Sequence, residues 1–484
     1  MTETLQAASA VTLRNIDDLP GPRGLPLLGN LLQMDRQRMH QTVERWVLEY
    51  GPYFRFSLPG RRFLAVADHE ALHALLRDRP DGFRRSVRLE EAWLELGLPA
   101  GVFGAHGEAW KRQRRMVMAG FDPAHVRAYF PSLVKVTQRL HGRWLKAASA
   151  GAAIDLQSDL MRFTVDAITG LAFGAEVNTL ESDDEVIQQH LDKIFPALFK
   201  RIMAPLRLWR YLPLAADRRL AHNVDEVKKA IDGFIAQARE RLAAEPARRS
   251  RPGNLLEAMI VAAELPDSGV DDIDVAGNVI TMLLAGEDTT ANTLAWMIHL
   301  LWRHPDALRQ AQDEVRRLAP DPGAFTPERM AALDYVEACI HETMRLKPVG
   351  PFQAAQALHD TTIADIRVPA GTIVWCAMRS ASLDDRHFPR AAAFEPERWL
   401  AGAGAGRASN SAKRVSMPFG AGPRVCPGRY LAMLEMKTAL AMLLGRFDIE
   451  SVDAPGGGEA EEHLALTLTP VGLRMTLRAR ASSA

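Results

Sequence analysis

The distribution of apolar and polar residues along the chain favours a mainly helical protein. Apolar residues recur at the helical spacing of three or four positions in seven long segments. These segments are Gln41–Glu49, Ala124–Lys146, Leu160–Phe173, Asp225–Ala243, Ile273–Trp302, Asp306–Leu318 and Tyr335–Leu346. Two of them stop just before a proline, at His304-Pro305 and Lys347-Pro348, where a helix is expected to end.

Strand-like sequence is minor and flanks turn residues in three places. The paired segments are Tyr53–Leu58 with Arg62–Ala67, Thr361–Val368 with Thr372–Cys376, and Leu464–Thr469 with Leu473–Leu477. The turns between them contain proline and glycine, and the first and last pairs are predicted to be hairpins. We therefore predict a mainly α protein with a small β region, formed as one domain over residues 1–484. Residues 1–20 are predicted to be a flexible N-terminal segment.

Composition excludes several classes of protein. The chain of 484 residues has 59 Lys and Arg and 59 Asp and Glu, so its formal net charge is zero. Proteins that coat nucleic acid or an anionic membrane surface need a strong charge imbalance, so neither partner is predicted. The three cysteines are too few for a disulfide framework and suit a reducing compartment.

Targeting and membrane-spanning signals are also missing from the pattern. The first residues are polar and lack the basic flank and apolar core of a secretory signal. No stretch reaches the roughly 18 apolar residues that a spanning helix needs. Because the most apolar window, near Val275 to Ala285, contains Asn278 and lies between Asp274 and Glu287, we predict a cytoplasmic protein without a membrane anchor.

The segment around Cys426 is the most informative in the chain. Gly420 and Gly422 precede the cysteine, Gly428 follows it, and a helical pattern begins just after the loop. Glycines let the backbone approach a flat group and direct N–H donors at a thiolate. Such donors, the start of the following helix and Arg424 are expected to lower the thiol pKa. A lone cysteine in such a turn is more often structural, but the fixed spacing of its neighbours reverses that preference.

The segment resembles the haem-binding loop of the cytochrome P450 family, whose pattern is Phe-x-x-Gly-x-Arg-x-Cys-x-Gly. Phe419, Gly422, Arg424, Cys426 and Gly428 match it at every specified position. In this family a Cys thiolate holds the haem iron. The resemblance extends from Pro20-Gly21-Pro22 to the last strands and implies that the cytochrome P450 fold buries haem between a long central helix and this loop.

A second motif is Glu342-Thr343-Met344-Arg345, in which spacing of three places Glu342 and Arg345 on one helical face. An exposed pair of this kind would be unremarkable. The resemblance implies instead a three-member ion network with Arg398, which is followed by Trp399. Its implied role is to brace the core behind the cysteine loop rather than to react with substrate.

A third motif, Ala285-Gly286-Glu287-Asp288-Thr289-Thr290, lies deep inside the longest predicted helix. Gly, Asp and paired Thr are poor helix formers, and a Thr hydroxyl can bond back to the carbonyl four residues earlier. A packing groove between helices would explain the motif equally well. The resemblance implies that Asp288 and Thr289 relay protons to dioxygen and that Ala285 and Gly286 make room over the porphyrin.

A fourth motif, Trp110-Lys111-Arg112-Gln113-Arg114-Arg115, places Trp110 and Arg114 on one helical face as two donors suited to a carboxylate. A solvated basic helix is the plain alternative. The resemblance implies that Trp110, Arg114 and Arg424 hold the haem propionates. Many family members have a further propionate Arg after the Glu-x-x-Arg helix. Residues 351–356 contain none, so Gln353 or Gln356 is the expected substitute.

One tempting motif is set aside. His69-Glu70-Ala71-Leu72-His73 matches the His-Glu-x-x-His pattern of zinc proteases. The extended pattern needs Gly and then a third His, and positions 76 and 79 are Leu76 and Arg79. We expect surface histidines on a short helix that starts after an Asp68 cap.

Taken together, the resemblance implies a haem-thiolate monooxygenase that uses haem b and inserts one oxygen atom of O2 into an apolar organic substrate. Fatty acids, terpenoids, steroids and polyketides all remain open as substrates. NAD(P)H would act indirectly, through a ferredoxin or flavodoxin and its reductase, on a monomeric enzyme. The alternatives are a peroxide-using enzyme, an isomerase that needs no reductant, or a non-enzymatic haem sensor, none of which needs Asp288 and Thr289.

Overall fold

The structure, a computed structural model, describes residues 13–121, 123–182, 187–204, 207–211, 214–400 and 408–480. Within these ranges lie sixteen α-helices. The first eight are α1 Met39–Tyr50, α2 His69–Arg77, α3 Val87–Glu95, α4 Gly107–Gly120, α5 Pro123–Ala128, α6 Phe130–Ser149, α7 Leu156–Ile168 and α8 Ile187–Met203. The others are α9 Ala215–Ala244, α10 Leu255–Ala263, α11 Asp272–Arg303, α12 Pro305–Leu318, α13 Pro327–Ala331, α14 Asp334–Leu346, α15 Ala408–Ser416 and α16 Arg429–Arg446.

The strands are short and form four small sheets in the described part of the chain. They are β1 Arg14–Asn15, β2 Tyr53–Leu58, β3 Arg61–Val66, β4 Phe83–Arg85, β5 Ile154–Asp155, β6 Gln353–Ala357, β7 Thr361–Ile363, β8 Ile366–Val368, β9 Ile373–Cys376, β10 Phe447–Asp453, β11 Glu462–Leu464, β12 Leu468–Pro470 and β13 Arg474–Ala479. The sheet orders are β2-β3-β9-β6-β4, β1-β8-β7, β10-β13-β5 and β11-β12. The predicted mainly α fold with a small β region is therefore confirmed.

The predicted helices all occur, with two interruptions. The segment predicted over 124–146 divides into α5 and α6 at Tyr129. The segment predicted over 160–173 leaves the α-helix after Ile168 and continues as a π-helical turn, Thr169–Phe173, which Gly174 ends in a left-handed conformation at φ 62°. Glycine adopts that conformation without strain, so it is a natural helix end.

The first hairpin prediction is correct and the last one is wrong. β2 and β3 pair across Pro59-Gly60. Around Pro470-Val471-Gly472, however, the two flanking segments do not pair with each other. β12 instead pairs with β11 across residues 465–467, and β13 pairs with β10 and with the distant β5, so the turn at 470–472 does not decide the strand partners.

The predicted flexible N-terminal segment is described only in part. Residues 1–12 lie outside the described residues. Arg14 and Asn15 pair in parallel with Ile366 and Arg367 of β8, and the Leu19 side chain is buried. The end of this segment is thus packed on the sheet.

Helix α11 organises the interior. It starts with a reciprocal cap, in which the Asp271 side chain accepts from the Asp274 N–H at 2.9 Å and the Asp274 side chain accepts from the Asp271 N–H at 3.3 Å. Residues 275–284 pack in one apolar cluster and residues 291–301 in another. The intervening turns, 285–290, belong to neither, so the helix crosses the core with a gap in its apolar packing at the predicted motif.

In the described ranges, no helix combines the length and apolar character needed to cross a bilayer. The three cysteines are free, and Cys339 and Cys376 are buried. Burial raises the pKa of both of these thiols, that of Cys376 to about 12, so both behave as small apolar side chains.

Candidate functional site

A cavity of about 470 Å³ lies between α11, the loop before α16 and the five-stranded sheet. Its walls contain every predicted site residue except Asp288. The predicted residues that line it are Trp110, Arg114, Ala285, Gly286, Thr289, Phe419, Gly420, Arg424, Cys426 and Gly428. The fold thus brings together three motifs that are separated by up to about 300 positions in the chain.

The cysteine loop is shaped by its glycines and by backbone hydrogen bonds. The Cys426 N–H donates to the Phe419 carbonyl at 3.0 Å, which closes the loop on itself. Gly422 has φ 70°, and a Cβ there would lie 2.4 Å from the Leu76 carbonyl oxygen. Only glycine fits this position, because both its backbone angle and the end of α2 exclude a side chain.

The electrostatics of the thiol differ from the expectation. Burial raises the pKa of Cys426, while the Gly428 N–H and the charges of Arg114 and Arg429 act to lower it. The prediction of a net lowered pKa is therefore wrong, because desolvation outweighs the donors. Such a thiol needs a bound cation to stabilise its thiolate, and iron is one that would do so.

Six arginines line the same cavity: Arg61 of β3, Arg88 of α3 and four that come from other parts of the fold. Arg114 comes from α4, Arg424 from the cysteine loop, Arg79 from the segment after α2, and Arg85 from β4. Burial lowers the pKa of all four, to about 10 for Arg424 and well below the usual range for Arg85. Repulsion from Arg79 contributes to the lowered pKa of both Arg85 and Arg424.

The partners of these arginines are neutral groups. Arg114 donates to the Val425 carbonyl at 2.8 Å and Arg424 to the Ala105 carbonyl at 2.7 Å. The Arg424 guanidinium also lies 4.7 Å from the centre of the Trp110 ring. Within the described ranges no carboxylate forms an ion pair with any of the four, and buried Nε atoms of Arg79, Arg85 and Arg424 lack an acceptor.

This donor set fits haem. Buried cations without counter-charge are costly unless an anion enters beside them. Two propionates would supply that charge, and Cys426 would supply the iron ligand in the same cavity. The residues present therefore fit haem b, and Arg79 and Arg85 are candidate propionate residues that the sequence motifs did not identify.

The structure also shows what occupies the place of the missing family arginine. β4 pairs with β6 so that Arg85 lies opposite Ala355. Gln353 lines the cavity and accepts from Arg79 at 3.3 Å. Gln356 instead donates to the Gly371 carbonyl at 3.1 Å and does not line the cavity. Of the two expected substitutes only Gln353 reaches the site, and it acts by holding an arginine.

His106 is a further residue of this region that the motifs missed. Its two ring nitrogens are buried without a hydrogen-bond partner. Burial, assisted by the charges of Arg84, Arg424 and Arg85, lowers its pKa to about 4. The imidazole is therefore neutral at pH 7; its Nε2 lies 3.5 Å from a Glu90 carboxylate oxygen, and the residue does not line the cavity.

On α11 the two residues predicted to relay protons point in different directions. Thr289 lines the cavity, and its Oγ1 donates to the Ala285 carbonyl at 2.6 Å. Asp288 does not line the cavity; its Oδ1 accepts from Asn292 at 3.0 Å and its Oδ2 from Thr467. Gly286 packs closely on α7, where a Cβ would lie 3.1 Å from a carbon of Ile168.

A buried acid from the neighbouring helix α16 contacts α11 close to these residues. Glu435 of α16 lines the cavity and is 2% exposed. Burial raises its pKa to about 8, against the opposing effect of a hydrogen bond from the Thr290 hydroxyl. The carboxyl is therefore protonated at neutral pH, next to the predicted relay.

The ion network behind the loop is fully formed. Glu342 and Arg345 are completely buried and form two hydrogen bonds of 2.8 and 2.7 Å. Arg398 donates to Glu342 at 3.0 Å and Trp399 at 2.8 Å. The remaining N–H groups of Arg345 donate to the carbonyls of Ser382, Ala391 and Ala393. The network therefore ties α14 to the segment that leads towards the cysteine loop.

The zinc-protease pattern does not form a metal site. His69 and His73 lie on α2, which begins after the predicted Asp68 cap. In the described ranges no group of three or more His, Cys, Asp or Glu side chains is arranged to bind a metal ion.

Comparison with known proteins agrees with this geometry. The family model described as Cytochrome P450 matches residues 19–476. The chain is similar to a "Self-sufficient cytochrome P450 monooxygenase CYP505E5" of Aspergillus niger, at 26% identity over 96% of the chain and 43% of the relative. It is also similar to "Cyclooctat-9-en-7-ol 5-monooxygenase" of Streptomyces melanosporofaciens, at 29% identity over 89% of each protein.

These relatives overturn one prediction. The expectation that a separate ferredoxin or flavodoxin and its reductase supply the electrons is wrong, because several of the matched relatives are self-sufficient enzymes. The chain spans less than half of their length, 43% of the Aspergillus niger relative and 44% of one from Penicillium expansum.

Proposed function

This chain belongs to the cytochrome P450 family, and from that premise we propose that it is a haem-thiolate monooxygenase. It would insert one oxygen atom of O2 into an apolar organic substrate by hydroxylation or epoxidation. The observation that carries the proposal is the convergence of the Cys426 thiol and four arginines without counter-charge on the cavity beneath Ala285 and Thr289.

Haem b bound here would supply the activation of O2, in which two electrons and two protons convert one oxygen atom to water while the other enters the substrate. The electrons would originate in NAD(P)H. Cys426 Sγ would hold the iron. Arg79, Arg85, Arg114 and Arg424, with Trp110 Nε1, would hold the propionates. These residues would orient the cofactor, because its two anionic groups would pair with the arginines.

The chain's own groups would also move the protons. Thr289 Oγ1 faces the cavity at the point where Ala285 leaves open space. Asp288 lies one residue earlier, with both carboxylate oxygens in hydrogen bonds. We assign Asp288 as the acid that passes protons inward and Thr289 as the hydroxyl that delivers them, a pair typical of general acid catalysis.

The remaining lining supports an apolar substrate. Away from the arginines the wall is formed mainly by aliphatic and aromatic side chains from α3, α8 and the β6 region. They include Leu89, Phe195, Phe199, Ile202, Val349 and Phe352. Burial of apolar surface is the main source of affinity that such a wall offers. Fatty acids, terpenoids, steroids and polyketides all meet this description.

The proposal is tested by the spectrum of the purified protein and by its oxidant requirement. Ferrous protein under CO should show the red-shifted band of thiolate ligation. Cys426→Ser should lose that band, whereas the control Cys339→Ala, at a buried cysteine of α14, should keep it. Product formation should need both O2 and a reductant. Colourless protein, a band that survives in Cys426→Ser, or turnover without either O2 or peroxide would overturn the proposal.

A further inference from the structure

The carboxylate of Asp288 is held from two sides. Asn292 Nδ2, one turn later in α11, donates to Oδ1 at 3.0 Å. Thr467 Oγ1 donates to Oδ2 from a segment 179 residues further along the chain. Thr467 is 7% exposed, so this second bond is sheltered from bulk water.

Thr467 ends a tight turn with an unusual backbone. The turn joins β11 to β12 through Ala465, Leu466 and Thr467, and the Ala465 N–H donates to the Thr467 carbonyl at 3.0 Å. Leu466 has φ 87°, a conformation that favours glycine. A leucine in this region is strained and persists only where the surroundings impose the conformation.

The surroundings that impose this turn are hydrogen bonds from three distant segments. The Leu464 N–H donates to the Gln37 carbonyl and the Leu468 N–H to the Val349 carbonyl, both at 2.9 Å. The Leu468 carbonyl accepts from Trp296 Nε1 of α11 at 3.1 Å. Both ends of the turn are therefore fixed, and the second of them is fixed to the helix that carries Asp288.

A buried ionic cluster anchors the base of the same hairpin. Glu462 accepts from Arg379 at 2.8 Å, from Lys347 at 2.9 Å and from His40 at 2.8 Å. The pKa of Glu462 is strongly lowered by its His40 hydrogen bond and the Arg379 charge, against the opposing effect of burial. The hairpin is thus an anchored element that presents one strained turn.

The turn also borders the space where substrate would lie. Leu466 and Thr467 both line the cavity that contains Thr289 and Cys426. Asp288 does not line this cavity, and Thr467 is a residue of the cavity wall that contacts its carboxylate.

We propose that Thr467 is a positioning residue that holds the Asp288 carboxylate in the orientation from which it passes protons to Thr289. The strained turn at Leu466 orients the Thr467 hydroxyl towards Asp288, and substrate packed on Leu466 keeps that orientation. Proton delivery is thereby linked to occupancy of the substrate space. This inference rests on the function proposed above.

The test compares hydroxyl deletion with hydroxyl retention. Thr467→Val removes the donor at nearly constant volume, Thr467→Ser keeps it, and Thr469→Val on β12 is the control. Thr467→Ala also deletes the hydroxyl, with less bulk, and is used if the valine variant does not incorporate haem.

The first measurement is the infrared difference spectrum between protein labelled at its Asp carboxylates and unlabelled protein. The signal of Asp288 is identified by its loss in Asp288→Asn. The Asp288 band should shift in Thr467→Val and stay in place in Thr467→Ser and Thr469→Val.

The second measurement is the partition of supplied electrons between product and hydrogen peroxide. A surrogate electron donor is used with whichever of dodecane, dodecanoic acid, geranylgeraniol or progesterone gives the largest spectral shift. Product per electron should fall about tenfold in Thr467→Val, less than the roughly 10²–10⁴-fold cost of losing an acid catalyst. The ferrous–CO band should not change.

The outcomes separate this inference from the proposed function. An Asp288 band that does not shift in Thr467→Val overturns the role of Thr467 alone. The same holds if product per electron is unchanged in Thr467→Val while it falls in Asp288→Asn. Equal uncoupling in Thr467→Val, Thr467→Ser and Thr469→Val also overturns it, because the effect would then be one of local packing. Unchanged coupling in Asp288→Asn overturns the relay together with this inference.

Discussion

Arg79 and Gln353 lie 274 positions apart in the chain, and Arg79 Nη1 donates to Gln353 Oε1 at 3.3 Å inside the cavity. Arg85, from the neighbouring strand, lies opposite Ala355. The cavity wall therefore has two arginines from the region after α2, beside residues 351–356, which themselves contain no arginine. The charge needed to bind a dianion is present, although it comes from a different segment of the chain.

Arg85→Gln should have opposite effects on the protein with and without haem. Without haem, the variant should unfold at a higher temperature, since it removes a buried cation that Arg79 and Arg424 repel. With haem, it should bind the cofactor more weakly by about 2 kcal/mol, the lower range for removing one partner of a desolvated charge pair. Thermal unfolding of both forms and haem titration measure the two effects.

The matched control for this change is Arg84→Gln. Arg84 is adjacent in sequence, pairs with Glu90 and does not line the cavity. It should leave haem affinity near that of the parent. Equal loss of affinity in both variants, or a lower unfolding temperature of haem-free Arg85→Gln, would contradict the assignment of Arg85.

Glu342→Ala should give little haem-loaded protein. It leaves Arg345, which is completely buried, without its carboxylate, and it removes the acceptor of Arg398 and Trp399. Breaking a buried ion pair in this way costs about 3–5 kcal/mol. The ratio of haem absorbance to protein absorbance after purification, with urea unfolding of the same samples, checks the prediction. Glu328→Gln, in an exposed pair with Arg127, is the control and should load normally.

The cysteine loop and α11 could be predicted because their signals are local. In the loop, the motif of glycine, arginine and cysteine lies within ten residues, and in α11 the apolar helical spacing recurs on both sides of residues 285–290. The gap in apolar packing at 285–290 is visible in the sequence as the run of Gly, Asp and Thr. Local patterns of this kind do not depend on which distant segment packs beside them.

The positions of Arg79, Arg85 and Thr467 beside the cavity could not be predicted, because tertiary pairing decides them. Arg85 faces the cavity only because β4 pairs with β6, and Thr467 reaches Asp288 only because β12 pairs with β11 rather than with β13. The error in the last hairpin has the same cause. A turn sequence indicates where the chain reverses, while strand partners are chosen by the whole fold.

Thr289→Ala should divert electrons from product to hydrogen peroxide. The substitution removes the hydroxyl that faces the cavity and its bond to the Ala285 carbonyl, while α11 keeps its backbone ladder. Product per electron should fall at least tenfold, in line with the contribution of a positioned proton donor. Peroxide and product are measured together under limiting reductant. Thr289→Ser should restore coupling; coupled turnover in Thr289→Ala would remove this hydroxyl from the relay.

Glu435→Gln should flatten the pH dependence of stability above pH 5. Burial raises the Glu435 pKa to about 8, compared with about 4.3 for an exposed glutamate. Between these values the folded protein holds a proton that the unfolded chain releases, so stability falls as pH rises, by at most about 1.4 kcal/mol per pH unit, and levels above pH 8. The neutral amide in Glu435→Gln has no such term, so the variant should gain stability relative to the parent between pH 5 and pH 8. Urea unfolding at several pH values, with exposed Glu240→Gln as the control, measures this double difference. Parallel profiles for the parent and Glu435→Gln would show that the carboxyl is already ionised at pH 5 and that Thr290 donates to a carboxylate.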